Sequence, residues 1–240
     1  VAVLGRDAAH GEAAIAAQDI PERRGERSVE ETLRHFLDDG VALCIRLGAG
    51  APLVDLCRAA VRGGLTVLEM TLTTPGALDA MRMLARDANT LVGGGTVLTP
   101  EDARAVHRAG GRFTLSPVFA PDAIDEATRL GMLAIPGAAT PTEIFKAHRH
   151  GVRLVKVFPS GALGGPAFLR AVRGPFPGVA LLPTNGPNAE NLADYFEAGA
   201  AAVGIMADVF PPGFTPASVE SGARKVRQAV AAWRARSRPA

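Results

Sequence analysis

The chain has 240 residues, 48% of them hydrophobic and 21% charged, with a net charge of +2. That is the balance of an ordinary globular protein with ample apolar material for a large core. The near-neutral charge, with no basic run on a core element, argues against nucleic acid as a partner. No apolar run approaches the ~20 residues of a membrane helix, and none opens the chain as a leader. Cys44 and Cys57 form no ligand cluster and read as small core residues of a reducing compartment, so the cytoplasm is the expected location.

Residues 1–27 are rich in Ala, Gly, Glu and Arg and are read as a mobile extension outside the domain, which then runs over 28–240. Ser28 followed by Glu31 forms a capping box that opens a helix ending near Gly40. From there strand-like runs alternate with helical periods. The strands are expected at 41–47, 66–72, 90–97, 112–118, 132–138, 154–160, 180–186 and 200–206. Helices are expected at Leu53–Arg62, Leu78–Arg86, Pro100–Ala109, Asp122–Leu130, Thr142–His150, Ala167–Val172, Ala189–Ala198 and Ser218–Arg236. Thr74-Pro75, Thr99-Pro100, Ala120-Pro121 and Thr140-Pro141 each place Pro where a first helical turn tolerates it, three of them behind a Thr cap. Eight strands, each followed by a helix, predict an α/β fold, a (β/α)8 TIM barrel with an extra N-terminal helix. The competing open sheet usually carries a nucleotide loop after its first strand, and Leu47-Gly48-Ala49-Gly50 lacks that glycine spacing.

Function is sought in strand residues that break the apolar rule. Only three of the 26 basic residues are lysines: Lys146, Lys156 and Lys225. Lys156 stands among Leu154, Val155, Val157 and Phe158, surroundings that penalise an ammonium and favour the neutral, nucleophilic amine. A lysine snorkelling from the strand end, or paired with a buried carboxylate, is the structural alternative. Glu69 lies in mid-strand between Leu68 and Met70, where it is either the ion-pair partner of Lys156 or a general acid and base. Arg46 shares a face with Cys44 and Ala42, and suits either a substrate carboxylate or loop carbonyls at the rim. Gly93-Gly94-Gly95-Thr96 allows close backbone approach and ends on a hydroxyl.

Four stretches, Leu68-Glu69-Met70-Thr71-Leu72, Val92-Gly93-Gly94-Gly95-Thr96-Val97-Leu98, Pro136-Gly137-Ala138-Ala139-Thr140 and Val155-Lys156-Val157-Phe158-Pro159, resemble the KDPG/KHG aldolases. That family holds the 2-keto-3-deoxy-6-phosphogluconate, 6-phosphogalactonate and 4-hydroxy-2-oxoglutarate aldolases. The resemblance runs from about residue 29 to 235 and includes Leu163-Gly164-Gly165-Pro166 and Asn188-Ala189-Glu190-Asn191-Leu192. It implies a class I aldolase that needs no metal or other cofactor, takes a small keto acid and assembles as a homotrimer. By the same resemblance Lys156 forms the imine and Glu69 shuttles the proton. Arg46 and Thr96 line the keto-acid end, with Pro117, Phe158, Thr184, Asn185 and Gly186 as further substrate contacts.

The departures from the family pattern gather at the other end of the substrate. An arginine common after the glutamate is missing at Leu72-Thr73-Thr74. The phosphate loop becomes Thr184-Asn185-Gly186-Pro187, and Pro187 removes an N–H donor. Met206-Ala207 replaces a small, hydroxyl-bearing turn, which would crowd an anion nest. The expected substrate is therefore a 2-keto-3-deoxy sugar acid or 4-hydroxy-2-oxo acid, with the phosphate site altered. The alternative is a non-catalytic or repurposed barrel that binds a sugar acid. A metal-dependent reading would have to use His148 and His150, which close a helix on the solvent side.

Overall fold

The computed structural model describes residues 27–237. All of the extension expected over 1–27 except Arg27 lies outside the described residues. Helix α1 (Val29–Asp39) begins with the expected capping box: the Glu31 N–H donates to Ser28 Oγ (3.2 Å), and the Ser28 N–H donates to Glu31 Oε2 (2.8 Å). It ends at Gly40, whose φ of 76° is a backbone state that glycine adopts without a Cβ penalty.

Strands and helices then alternate: β1 (Val41–Ile45), α2 (Leu53–Arg62), β2 (Val67–Thr71), α3 (Ala77–Leu84), β3 (Leu91–Gly95) and α4 (Pro100–Arg108). They continue through β4 (Phe113–Leu115), α5 (Pro121–Arg129), β5 (Leu133–Ile135), β6 (Gly137–Ala138) and α6 (Pro141–Arg149). The series closes with β7 (Val155–Val157), α7 (Pro166–Arg173), β8 (Leu181–Pro183), α8 (Leu192–Glu197), β9 (Val203–Ile205) and α9 (Pro216–Ser237). All strand pairings are parallel. One sheet runs β5-β4-β3-β2-β1-β9 and a second runs β6-β7-β8. A parallel bridge between Thr184 and Gly204 links the end of β8 to β9.

The fifth expected strand, 132–138, is in fact two short strands in different sheets, β5 and β6. Pro136 separates them, since it has no N–H for a ladder. Its carbonyl still accepts from the Lys156 N–H at 2.8 Å, which sets the register of β7. Thr99 and Thr140 cap α4 and α6 as expected, each in a capping box. Thr74 does not cap a helix. Gly76 stands at the start of α3, and the buried Thr74 hydroxyl reaches back to Ile45 O (3.2 Å) and accepts from the Leu47 N–H (3.2 Å). Helix α8 starts three residues later than expected because Asn188 accepts from the Glu190 and Asn191 N–H groups (both 2.9 Å), making a turn in place of a helical one.

Side-chain alternation along the strands divides the core in two. Val41, Leu43, Ile45, Val155 and Val157 belong to the cluster shared with the helices. Ala42, Val67, Leu91, Phe113, Leu154 and Leu182 belong to an inner cluster, joined by Leu33 and Phe36 of α1. The Phe36 ring meets Phe113 edge-on, with centroids 5.3 Å apart, so α1 plugs the N-terminal end of the strands with apolar mass. The polar residues of interest lie toward the opposite end.

Candidate active site

In β1, β2 and β7 the inner positions after Ala42, Val67 and Leu154 are Cys44, Glu69 and Lys156. Strand register sets Glu69 beside Cys44 on one side and Gly93 on the other. Lys156 stands between Gly137 and Leu182. Lys156 Nζ lies 3.6 Å from Glu69 Oε1, with side-chain exposures of 7% and 1%. That separation is within reach of a charge pair but beyond a hydrogen bond. Neither Glu69 oxygen has a hydrogen-bond partner among the described residues. Leaving a buried acceptor unpaired costs ~1–3 kcal/mol, more for a charged group, so the fold tolerates Glu69 at a penalty. The Phe158 ring lies 5.3 Å from Lys156 Nζ and flanks the amine.

The glycines of β3 make this burial possible. A Cβ on Gly95 would come 2.3 Å from Glu69 Oε1, and one on Gly93 would come 2.4 Å from the Phe113 ring. The close backbone approach that these glycines allow is made by protein side chains.

Lys156 and Glu69 open on a cavity of about 520 Å³ at the C-terminal ends of the strands. Of the residues expected at the site, Arg46, Phe158, Thr184, Asn185 and Gly186 also line it. Arg46 is exposed and makes no ion pair among the described residues. Thr96 and Pro117 are not part of the lining. Thr96 follows the last residue of β3 in a left-handed turn at φ 60°, leaving Gly95 as the inner position. Pro117 packs its backbone on the start of β6, where a Cβ on Gly137 would come 2.3 Å from the Pro117 carbonyl carbon.

Three polar lining residues, Cys44, Asn188 and Asp208, escaped the sequence reading as site residues. Cys44 is a cavity residue and not plain core. Its thiol is pushed up from an ordinary 9.0 to about 12, first by burial and then by the Glu69 charge, so it stays protonated. Its alternation with Arg46 was the available signal. Asn188 and Asp208 sit in loops after β8 and β9, where no period marks them. The Asp208 carboxylate accepts from the Ala189 N–H at 3.2 Å and ties the two loops together. The loop before α8 is further fixed by the Asn188 N–H donating to Asn191 Oδ1 (2.8 Å) and by Asn191 Nδ2 donating to Gly186 O (3.1 Å). Gly186 is held against Tyr195, whose hydroxyl would come 2.4 Å from an added Cβ.

His150 does not take part. It bonds Asp125 at 2.7 Å and meets the Phe119 ring edge-on, and no metal-holding cluster of His, Cys, Asp and Glu occurs among the described residues.

Fold and site together define a parallel α/β protein that buries an amine beside a carboxylate without hydrogen bonds at the mouth of its strands. The model of the KDPG and KHG aldolase family matches residues 39–214, and the chain belongs to that family. It is 40% identical over 152 residues to the 2-dehydro-3-deoxy-phosphogluconate aldolase of Pseudomonas aeruginosa, covering 63% of this chain and 69% of that protein. To the 2-dehydro-3-deoxy-6-phosphogalactonate aldolase of Escherichia coli it is 33% identical over 179 residues, covering 73% and 85%. Among solved structures it resembles the KDPG aldolase of Legionella pneumophila, captured with pyruvate as a covalent carbinolamine. That likeness has a TM-score of 0.71 at 30% identity and covers 84% of this chain and 97% of the other.

Proposed function

We propose that this protein is a class I aldolase that cleaves a 2-keto-3-deoxy sugar acid, or a 4-hydroxy-2-oxo acid, to pyruvate and an aldehyde without a metal. The observation that carries the reading is the Lys156–Glu69 pair: 3.6 Å apart, almost wholly buried, with neither carboxylate oxygen committed to a hydrogen bond among the described residues. An amine stripped of water is the form that attacks a ketone. Lys156 Nζ adds to C2 of the substrate, and loss of water gives a protonated imine that accepts the electron pair of the C3–C4 bond. Glu69 takes the C4 hydroxyl proton as that bond breaks and the aldehyde leaves. The enamine then regains a proton at C3, and water releases pyruvate from the lysine. In this reading Arg46, which lines the cavity, holds the substrate carboxylate, and Phe158, 5.3 Å from the amine, flanks the imine.

The same reading takes the two sheets as one closed eight-stranded barrel. Chain continuity through Pro136 supports it at one junction and the Thr184–Gly204 bridge at the other. It includes a domain over 28–240, of which the family match covers 39–214, together with a homotrimer and a cytoplasmic location taken from the family resemblance. The far end of the cavity supports an altered phosphate site, since Pro187 offers no N–H and Met206 stands on its rim. Borohydride reduction in the presence of pyruvate tests the chemistry. A covalent adduct mapped to Lys156 is expected, and an unmodified lysine would favour a barrel that binds sugar acids without turnover.

A further inference from the structure

The two halves of the cavity differ in charge. Of the residues lining it, the cations are Arg46 and Lys156, both on the strand side. The loop side, formed after β8 and β9, contributes Thr184, Asn185, Asn188 and the carboxylate of Asp208, and no cation. Asp208 has one bond, to the Ala189 N–H (3.2 Å), and no ion pair among the described residues. Its remaining acceptor capacity borders the cavity. Thr184 adds an independent observation. The residue is 7% exposed, and its hydroxyl has no hydrogen-bond partner among the described residues. A buried hydroxyl without a partner, on a residue of the cavity lining, lacks a hydrogen bond that a ligand group can supply.

Four consecutive backbone donors in the loop after β8 are already used within the protein. The N–H groups of Asn188, Ala189, Glu190 and Asn191 donate to Asn191, Asp208 and, for the last two, Asn188 side chains. A phosphate arriving here would find those four donors occupied and a carboxylate facing it. A hydroxyl would find Asp208 and Thr184 as partners, and a carboxylate acceptor bonds a neutral hydroxyl more strongly than a neutral acceptor does.

We infer that Asp208 is a specificity-determining residue: with the Thr184 hydroxyl it receives the uncharged, hydroxyl-bearing tail of an unphosphorylated 2-keto-3-deoxy sugar acid and turns a terminal phosphate away. The inference rests on the aldolase reading and sharpens it to one substrate class.

The test compares kcat/KM for a 2-keto-3-deoxy sugar acid with and without its terminal phosphate, in the wild type and in Asp208→Asn. The amide keeps the shape and can still accept from the Ala189 N–H, so the loop tie survives. The wild type is expected to favour the unphosphorylated acid by ~10-fold or more. Asp208→Asn should shrink that ratio by ~10-fold, mainly through KM, because the lost discrimination lies in binding. Thr184→Val should raise KM for the unphosphorylated acid and leave the preference against phosphate in place. Borohydride trapping of pyruvate on the wild type separates the two levels. Trapping with an unchanged ratio in Asp208→Asn, or a wild type that prefers the phosphorylated acid, overturns the role of Asp208 alone. No trapping removes the aldolase reading and this inference with it.

Discussion

Two buried carboxylates lie toward opposite ends of the strands, and the fold treats them differently. Asp39, at the N-terminal end, is fully engaged: it accepts from the Thr66 N–H (3.0 Å) and hydroxyl (2.5 Å) and pairs with Arg227. The Arg227 guanidinium also donates to Asp39 O (2.8 Å) and Gly64 O (2.9 Å), so this cluster binds α9 to the start of the sheet. Glu69 has a cation 3.6 Å away and no hydrogen bond among the described residues. A satisfied buried charge holds structure together. An unsatisfied one costs stability and is kept where chemistry uses it.

The comparison can be broken most sharply at Lys156. Lys156→Arg keeps a cation beside Glu69 but loses the amine that can deprotonate and attack a ketone. Turnover and pyruvate trapping should both vanish while the unfolding midpoint moves little, and steady-state aldolase activity in this variant would contradict the mechanism. Next is Glu69→Gln, which should lower kcat by ~10²–10⁴-fold. Glu69 makes no hydrogen bond among the described residues and meets Lys156 only at 3.6 Å, so the amide should leave stability nearly unchanged in urea denaturation. A clear loss of stability would mean that Glu69 is a structural partner after all.

At the other end, Asp39→Ala strips Arg227 of its partner and frees two Thr66 donors. It should cost ~1–3 kcal/mol in urea unfolding, the usual penalty for leaving buried hydrogen-bond donors without acceptors. kcat/KM measured well below the new transition should stay within ~2-fold, given how far the cluster lies from the cavity. A matching fall in activity would show the two ends to be coupled. The smallest effect concerns the thiols. Burial is the largest cause raising both Cys44 and Cys57 from 9.0 to about 12. A raised thiol value means the native state holds its proton more tightly than the unfolded chain. Their contribution is intact below pH 9 and is lost as the pH climbs from there toward 12. Native protein at pH 8 should resist alkylation at both cysteines by mass spectrometry, and rapid labelling of Cys44 would show that its thiol is less enclosed than the structure has it.

Much of the architecture was legible because its signals are local. Alternation of apolar residues located every strand region, and the period of Leu53–Arg62 matched α2 residue for residue. Ser28, Thr99 and Thr140 announced their helices because a cap and its partner lie three residues apart. Lys156 and Glu69 stood out as charges on apolar strands, and the same alternation that placed them inward should have carried Cys44 with them. Thr74 misled because a Thr-Pro pair looks alike whether its hydroxyl caps a helix or bonds the neighbouring strand at Ile45. The split at Pro136 depended on which strand lies alongside, which no local pattern encodes.

By itself the sequence determined the order and type of the elements and which charges would be forced into the interior, because both follow from the periods at which side chains face inward. The tertiary structure alone decided that Glu69 would meet Lys156 at 3.6 Å without a hydrogen bond, that Gly95 would make room for it, and that Asp208 would border the same cavity. Those facts depend on residues far apart in the chain meeting across parallel strands. The meeting is set by register and packing and leaves no trace in any single segment.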